Sequence, residues 1–263
     1  MENHPQAVPN PNTAKETKHD AQHKLVDAEI KEKWEQEQNE LRQQLKEFDD
    51  FEQPERQKLL ANSLVPQPTL DADKIQNTLR LIGSVDISYS KTDDRKAVAA
   101  LIISSYPDFN VIYEDYEAAV QTDYPYIPGF LAFKEIPLYK ILFERLEKNN
   151  PELWPQILLV DGNGIFHTRM FGCASHVGVV FNLPSIGVAK KSFDVDGLNK
   201  SNIKEAYEGN LLNAGDAVNL VGKSGKVWGA AYRSTNETTH PIFVSVGHRI
   251  SLESAIKIVK ACT

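Results

Sequence analysis

Cysteine is nearly missing from this chain: Cys173 and Cys262 are the only two among 263 residues. Two thiols so far apart build no disulfide framework and fit no zinc-ligand spacing. The composition therefore points to a reducing intracellular compartment, cytoplasmic or nuclear. Long apolar runs are missing as well. No stretch approaches the roughly 18 residues that a membrane-spanning helix needs, so no membrane partner is expected. The opening segment, MENHPQAVPNPNTAKETKHD, is polar and carries three prolines. It has no apolar centre, which excludes a secretory signal. There is no G-x-S-x-G elbow, so a serine hydrolase of that type is set aside. Nor is there a basic excess: 29 Lys and Arg stand against 36 Asp and Glu, a net charge of −7. Residues 1–72 hold 9 basic and 15 acidic side chains, whereas 73–263 hold 20 and 21. The larger part is near neutral, so global charge neither predicts nor excludes a nucleic-acid partner. Phosphate binding, if present, must come from local placement or from metal ions.

What is there reads as an α/β chain. Residues 1–20 have almost nothing to bury and are expected to be a disordered tail. Residues 21–62 are rich in helix formers and space Ile30, Trp34, Leu41, Leu45 and Phe48 at helical intervals. One or two helices packed on the core are expected there, with 21–263 forming one domain. Apolar β-type runs follow at 79–90, 97–106 and 111–120, then a helix over 131–148. A strand at 157–161, a helix at 171–182 and strands at 185–190, 227–234 and 241–247 come next, and a helix over 251–261 ends the series. Several strands before the first core helix, then alternation, predict a mixed β-sheet with helices on both faces.

Three acids stand out. Asp161 ends the apolar run Ile157–Val160 and is followed by Gly162-Asn163-Gly164. Such a run reads as a strand buried on both faces, and ligands of α/β proteins bind at the carboxyl ends of their strands. Asp86 interrupts the apolar strand around Val85, where an acid is disfavoured unless it is paired, metal-bound or turned to solvent. Glu135 follows Tyr124-Pro125-Tyr126-Ile127-Pro128-Gly129, a stiff loop suited either to prising bases apart or to simple packing. Carboxylates converging at one sheet edge are what Mg²⁺ requires, and phosphodiester cleavage uses such ions. His167, Arg169 and His176 lie among small residues after Asp161. His176 and Cys173 read as packing residues. His248-Arg249 fits helix capping with an ion pair as well as it fits a site.

Five blocks, in order, carry a resemblance: GSVDISY (83–89), YPYIPGFLAFKEIP (124–137), LLVDGNGIFHTRMFGCASHVGV (158–179), LPSIGVAKK (183–191) and IFVSVGHRISLESAIKIV (242–259). Together they resemble the endonuclease V family, closer to its eukaryotic members. The resemblance implies a ribonuclease H-like fold and a Mg²⁺-dependent endonuclease (Mn²⁺ substituting). The implied substrate is inosine-containing single-stranded RNA, or deoxyinosine DNA. Cutting falls at the second phosphodiester bond 3′ to inosine and leaves 5′-phosphate and 3′-hydroxyl ends. By this resemblance Asp86, Asp161 and Glu135 hold the metal. Tyr126, Ile127 and Pro128 form the wedge, Gly129 and Gly162 lie against the flipped base, and Lys190 contacts phosphate. His167 sits near the metal, and Lys134 stands where an arginine is usual, which keeps the charge but loses the bidentate fork. The chain is expected to act as a monomer. The family pattern continues past IKIV into a PEPxRxAD-type run, whereas here Ala261-Cys262-Thr263 follows. This leaves Glu253 or solvent as the further ligand, or a non-catalytic inosine-binding form.

Overall fold

The computed structural model describes residues 18–51, 78–93, 95–119 and 127–263. Tyr126 and most of the predicted tail lie outside the described residues. Eight strands form one mixed sheet: β1 (Leu81–Tyr89), β2 (Ala97–Ser105), β3 (Val111–Ala119), β4 (Ile157–Asp161), β5 (Ser185–Ala189), β6 (Ala217–Val221), β7 (Val227–Tyr232) and β8 (Ile242–His248). Their order is β3-β2-β1-β4-β5-β8-β7-β6. β1, β2 and β3 run antiparallel to one another, β1, β4 and β5 run parallel, and β8 returns antiparallel to β5. The helices among the described residues are α1 (Lys18–Arg42), α2 (Leu131–Asn149), α3 (Cys173–Phe181), α4 (Lys200–Tyr207) and α5 (Leu252–Ala261). None is long and apolar enough to cross a membrane.

The buried-strand reading of β4 follows from its contacts on both sides. Leu158 and Val160 pack with Val85, Leu101 and Leu142 beneath α2 and α3. Ile157 faces the other way, among Ile82, Ile186, Val246 and Ile258 beneath α5. Helices thus cover both faces of a mixed sheet, as the run of elements predicts. A third cluster, with Phe166, Ile203 and Trp228, sits beneath α4. A fourth joins Trp34 of α1 to Ile127 and Phe130.

Two departures from the sequence reading, and one choice that it left open, have physical causes. Of the one or two helices read over 21–62, the described helix ends at Arg42 and residues 52–62 lie outside the described residues; beyond Arg42, Asp49 and Asp50 are used as anchors. Asp49 accepts from Ser251 N at 2.7 Å and Ser254 Oγ at 2.8 Å, holding the start of α5. Asp50 meets Arg249 at 3.2 Å, and Phe48 is left 59% exposed. Second, α4 and β6 were unforeseen. The α4 start is a reciprocal cap made by Asn199 and Asn202 rather than the usual Ser/Thr…Glu pair. Edge strand β6 buries little besides Leu220. Third, His248-Arg249 is structural. Arg249 is 4% exposed and donates to Asp50 O, Asn182 O and Asn182 Oδ1, while His248 Nδ1 accepts from Lys46 N.

The turn after β4 is bolted in place. Gly164 N donates to Ser245 Oγ at 2.9 Å, Ile165 N to Val246 O at 2.8 Å and Gly172 N to Gly164 O at 2.9 Å. A Cβ on Gly164 would lie 1.9 Å from Val246 O, so only glycine fits. Ser245 is fully buried, and Ser245→Ala leaves the Gly164 amide without its acceptor. We expect a loss of about 1–3 kcal/mol in folding free energy, read by denaturant unfolding.

Candidate active site

Two of the predicted acids come together at the sheet edge. β1 and β4 pair in parallel register through Val85 and Val160, so Asp86 and Asp161 are the next residues on adjacent strands, roughly 5 Å apart in backbone. Both are exposed. Asp86 Oδ1 accepts from Ile87 N at 2.8 Å. Asp161 Oδ2 pairs with Lys190 Nζ at 3.3 Å, with the two side chains 41% and 82% exposed. An ion pair so wet contributes little to stability, which leaves the lysine head able to swing to a phosphate.

Glu135 enters from α2 and is 5% exposed. Its Oε2 accepts from Cys173 Sγ at 3.1 Å and from Tyr139 OH at 3.4 Å. Burial raises its pKa to about 7, the Cys173 and Tyr139 hydrogen bonds oppose the rise, and the charges of Asp86 and Asp161 add to it. A carboxyl whose pKa is raised chiefly by burial, with two further carboxylates adding to the rise, marks a site short of positive charge. Hard oxygen donors of this kind fit Mg²⁺. The side chains are not drawn into a closed cage, since among the described residues no three His, Cys, Asp or Glu groups stand close enough to hold a metal by themselves. Glu135 is turned to Cys173 and Tyr139, and Asp161 to Lys190.

Beside this edge opens a cavity of about 330 Å³ bordered by Gly129, Leu131, Gly162, Asn163, His167 and Phe193, with Asp161 and Lys190 at its rim. Gly129 has φ +88°, a conformation that side-chain-bearing residues avoid, and it brings backbone to the cavity wall. His167 is buried, and its ring meets Phe193 edge-on at 4.7 Å. Burial lowers its pKa to about 4, helped by Arg169, so it is neutral near pH 7. Its Nδ1 accepts from Arg169 N at 3.2 Å, which leaves Nε2 to carry the proton. A second cavity, about 340 Å³, borders Asp86, Ile102, Leu159 and Val188 and shares Asp161, Ala189 and Lys190 with the first.

Other expected site residues are placed differently. Lys134 is 4% exposed with its ammonium 4.8 Å from the Tyr89 ring centre, and it borders neither cavity. Ile127 is buried against Trp34 and Phe130, and among the described residues of this loop Pro128 is the exposed one. Glu253 pairs with Lys257 at 2.8 Å on the outside of α5, away from the acids. Conversely, Cys173, read as packing, holds Glu135 and borders the first cavity. Gln38 of α1 borders it too, and no sequence signal marks that glutamine among its neighbours.

A family model described as Endonuclease V matches residues 63–263. The chain belongs to the Endonuclease V family. Endonuclease V of Mus musculus is 47% identical over 184 residues, covering 70% of this chain and 54% of the mouse protein. That of Homo sapiens is 44% identical over 184 residues, covering 70% and 65%. The chain thus spans between half and two thirds of these relatives. Among solved structures, the catalytic domain of human Endonuclease V superposes with TM-score 0.77 at 38% identity, covering 89% of this chain and 88% of that one. Ciona intestinalis Endonuclease V, in complex with a DNA containing an inosine followed by a ribo-adenosine, gives TM-score 0.74 at 33% identity, covering 89% and 90%. The ribonuclease H-like fold of this Endonuclease V chain follows from those neighbours.

Proposed function

We propose that this chain is a Mg²⁺-dependent endonuclease that cuts inosine-containing single-stranded RNA at the second phosphodiester bond 3′ to inosine. The observation that carries this reading is the cavity lined by Gly129, Gly162, His167, Asp161 and Lys190, which adjoins a second cavity bordered by Asp86 and sharing Asp161 and Lys190. Chemistry on a strand at a fixed step from a marker base needs the base held out of the stack beside the reacting phosphate. Gly129 and Gly162 give the flipped hypoxanthine a backbone wall, and Pro128 keeps the neighbouring bases away. The strand runs past Asp161 and Lys190 into the second cavity.

Asp86, Asp161 and Glu135 would hold the metal, which when bound supplies Lewis acidity toward phosphate and water, with Mn²⁺ as a substitute. Lys190 moves from Asp161 to the scissile phosphate and stabilises charge developing there. Neutral His167 donates from Nε2 to the substrate rather than repelling the metal. In-line attack by water on phosphorus breaks the P–O3′ bond and leaves 5′-phosphate and 3′-hydroxyl ends. The choice of RNA over DNA rests on the likeness to eukaryotic members of the family, and a 2′-hydroxyl contact would be its physical basis. The reading takes the chain as a monomer acting in the cytoplasm or nucleus. An inosine-binding form without cleavage is the weaker alternative, because Asp86 and Asp161 end adjacent strands and Glu135 on α2 lies near enough to feel both charges.

Labelled single strands test this: inosine RNA, inosine DNA and unmodified RNA, each with Mg²⁺ and with EDTA. We expect cleavage of inosine strands only, RNA ahead of DNA, with ends mapping to the second bond. An inosine strand that is retained but uncut would reject the enzyme and leave the binder.

A further inference from the structure

We propose that Gln38, on α1 and outside the segment matched by the family model, is a positioning residue that sets the inosine selectivity of the cavity. This rests on the reading of that cavity as the base site. Gln38 is 3% exposed. Its Nε2 donates to Gly129 O at 3.2 Å and to Phe171 O at 3.0 Å, and its Oε1 accepts from Arg169 Nε. One side-chain amide thus ties three chain segments together. Two of them, at Gly129 and Phe171, are walls of the cavity, and Gln38 borders it as well.

Packing alone does not explain this residue. Trp34, one turn earlier on the same helix face, already docks α1 by stacking on Phe133 at 4.9 Å between ring centres. Burying an amide is unfavourable unless its hydrogen bonds are met, and an apolar side chain would fill the space without that demand. What the amide adds is a fixed separation between two backbone carbonyls on different loops. Arg169 is held by the same helix: it reaches Asn39 Oδ1 at 3.3 Å, its carbonyl accepts from Arg42 NH1 at 3.3 Å, and its guanidinium lies 5.0 Å over Phe130. Arg169 in turn supplies the amide that fixes the His167 ring.

The consequence concerns purine choice. Guanine differs from hypoxanthine by one amino group on C2, so rejecting it needs a wall that does not yield. If Gly129 and Phe171 are free to part, the cavity admits that group. Gln38 therefore contributes to discrimination rather than to general affinity for the strand.

Gln38→Met keeps length and packing and removes all three hydrogen bonds. Binding is read by fluorescence anisotropy in EDTA, with single strands that carry inosine or guanosine at one position. We expect the inosine-over-guanosine affinity ratio to fall by about tenfold, the size of effect one or two neutral hydrogen bonds carry, with the guanosine strand binding as well as before or better. A wild-type protein that shows no preference would sink the base-site reading itself. A wild-type preference that Gln38→Met retains within about twofold would overturn this inference alone. Equal weakening on both strands would also overturn it, as the mark of a merely structural role. Should Gln38→Met melt far below the wild type, Gln38→Glu gives the same readout. It keeps the Arg169 contact but sets an acceptor against the Gly129 and Phe171 carbonyls.

Discussion

Replacing Asp161 with asparagine is expected to lower single-turnover cleavage of an inosine strand on the order of 10³-fold while leaving its binding nearly unchanged. Asparagine keeps the volume and shape in the lining of the first cavity, to which Asp161 contributes. It removes the negative charge that a divalent cation needs on β4. Losing metal-centred stabilisation of the transition state amounts to several kcal/mol, and each 1.36 kcal/mol is a factor of ten in rate. The exposed pair with Lys190 is too weak to make the substitution a folding defect. Cleavage within about fivefold of wild type would remove Asp161 from the chemistry. Loss of cleavage and binding together would instead mark it as part of the base wall.

Glu135→Gln is expected to make the metal-free protein more stable than wild type at pH 8, and no more stable at pH 4. The Glu135 carboxyl ordinarily titrates at 4.5, and in the fold burial raises that to about 7. Between those values the folded chain keeps a proton that the unfolded chain has lost. The stabilisation from protonated Glu135 is therefore complete below pH 4.5 and is lost as pH rises through about 7. A shift of this size corresponds to roughly 3 kcal/mol. Glutamine does not titrate, so the stability difference between variant and wild type should open by about that amount across the window. Burial lowers the pKa of His167 to about 4, of His176 to about 3 and of His248 to about 4. These groups act in the opposite direction but are common to both proteins and cancel in the difference. Urea unfolding in EDTA from pH 4 to pH 8.5 measures it, and a flat difference would show that Glu135 is ionised without strain. Added Mg²⁺ at pH 8 should raise the wild-type melting temperature and leave the variant's almost unmoved.

The sequence made the frame of this site legible where one-dimensional pattern and burial coincide. Ile157–Val160 followed by a glycine turn reads as a buried strand opening at Asp161. Asp86 fits a solvent-facing position equally well and is joined to Asp161 only by the family resemblance; the pairing of β1 with β4 sets them side by side. Side-chain direction was beyond its reach. Lys134 and Glu135 are adjacent in the chain, yet one ends over an aromatic ring and the other against a thiol, a choice made by the tertiary packing of α2. Cys173 looked like filler because its neighbours are small. Its contact with Glu135 depends on how α3 approaches α2. Gln38 is chemically ordinary within a glutamine-rich helix, and only the approach of two distant loops gives its amide a task. Asn199 and Asn202 hid α4 because each also favours a turn.

If the cavity takes the base as proposed, the bolted turn behind it also divides the labour of recognition between the two molecules. Gly164 lies against the β8 backbone with no slack, so that wall of the cavity cannot reshape itself around an arriving base. Reorganisation then falls on the nucleic acid, which must deliver the nucleotide already turned out of its stack. Strands whose marked base sits in a floppy loop should be engaged faster than those holding it in a stable helix, even when the base is the same. For such a protein, the folding of the substrate is the variable that decides which positions are seen.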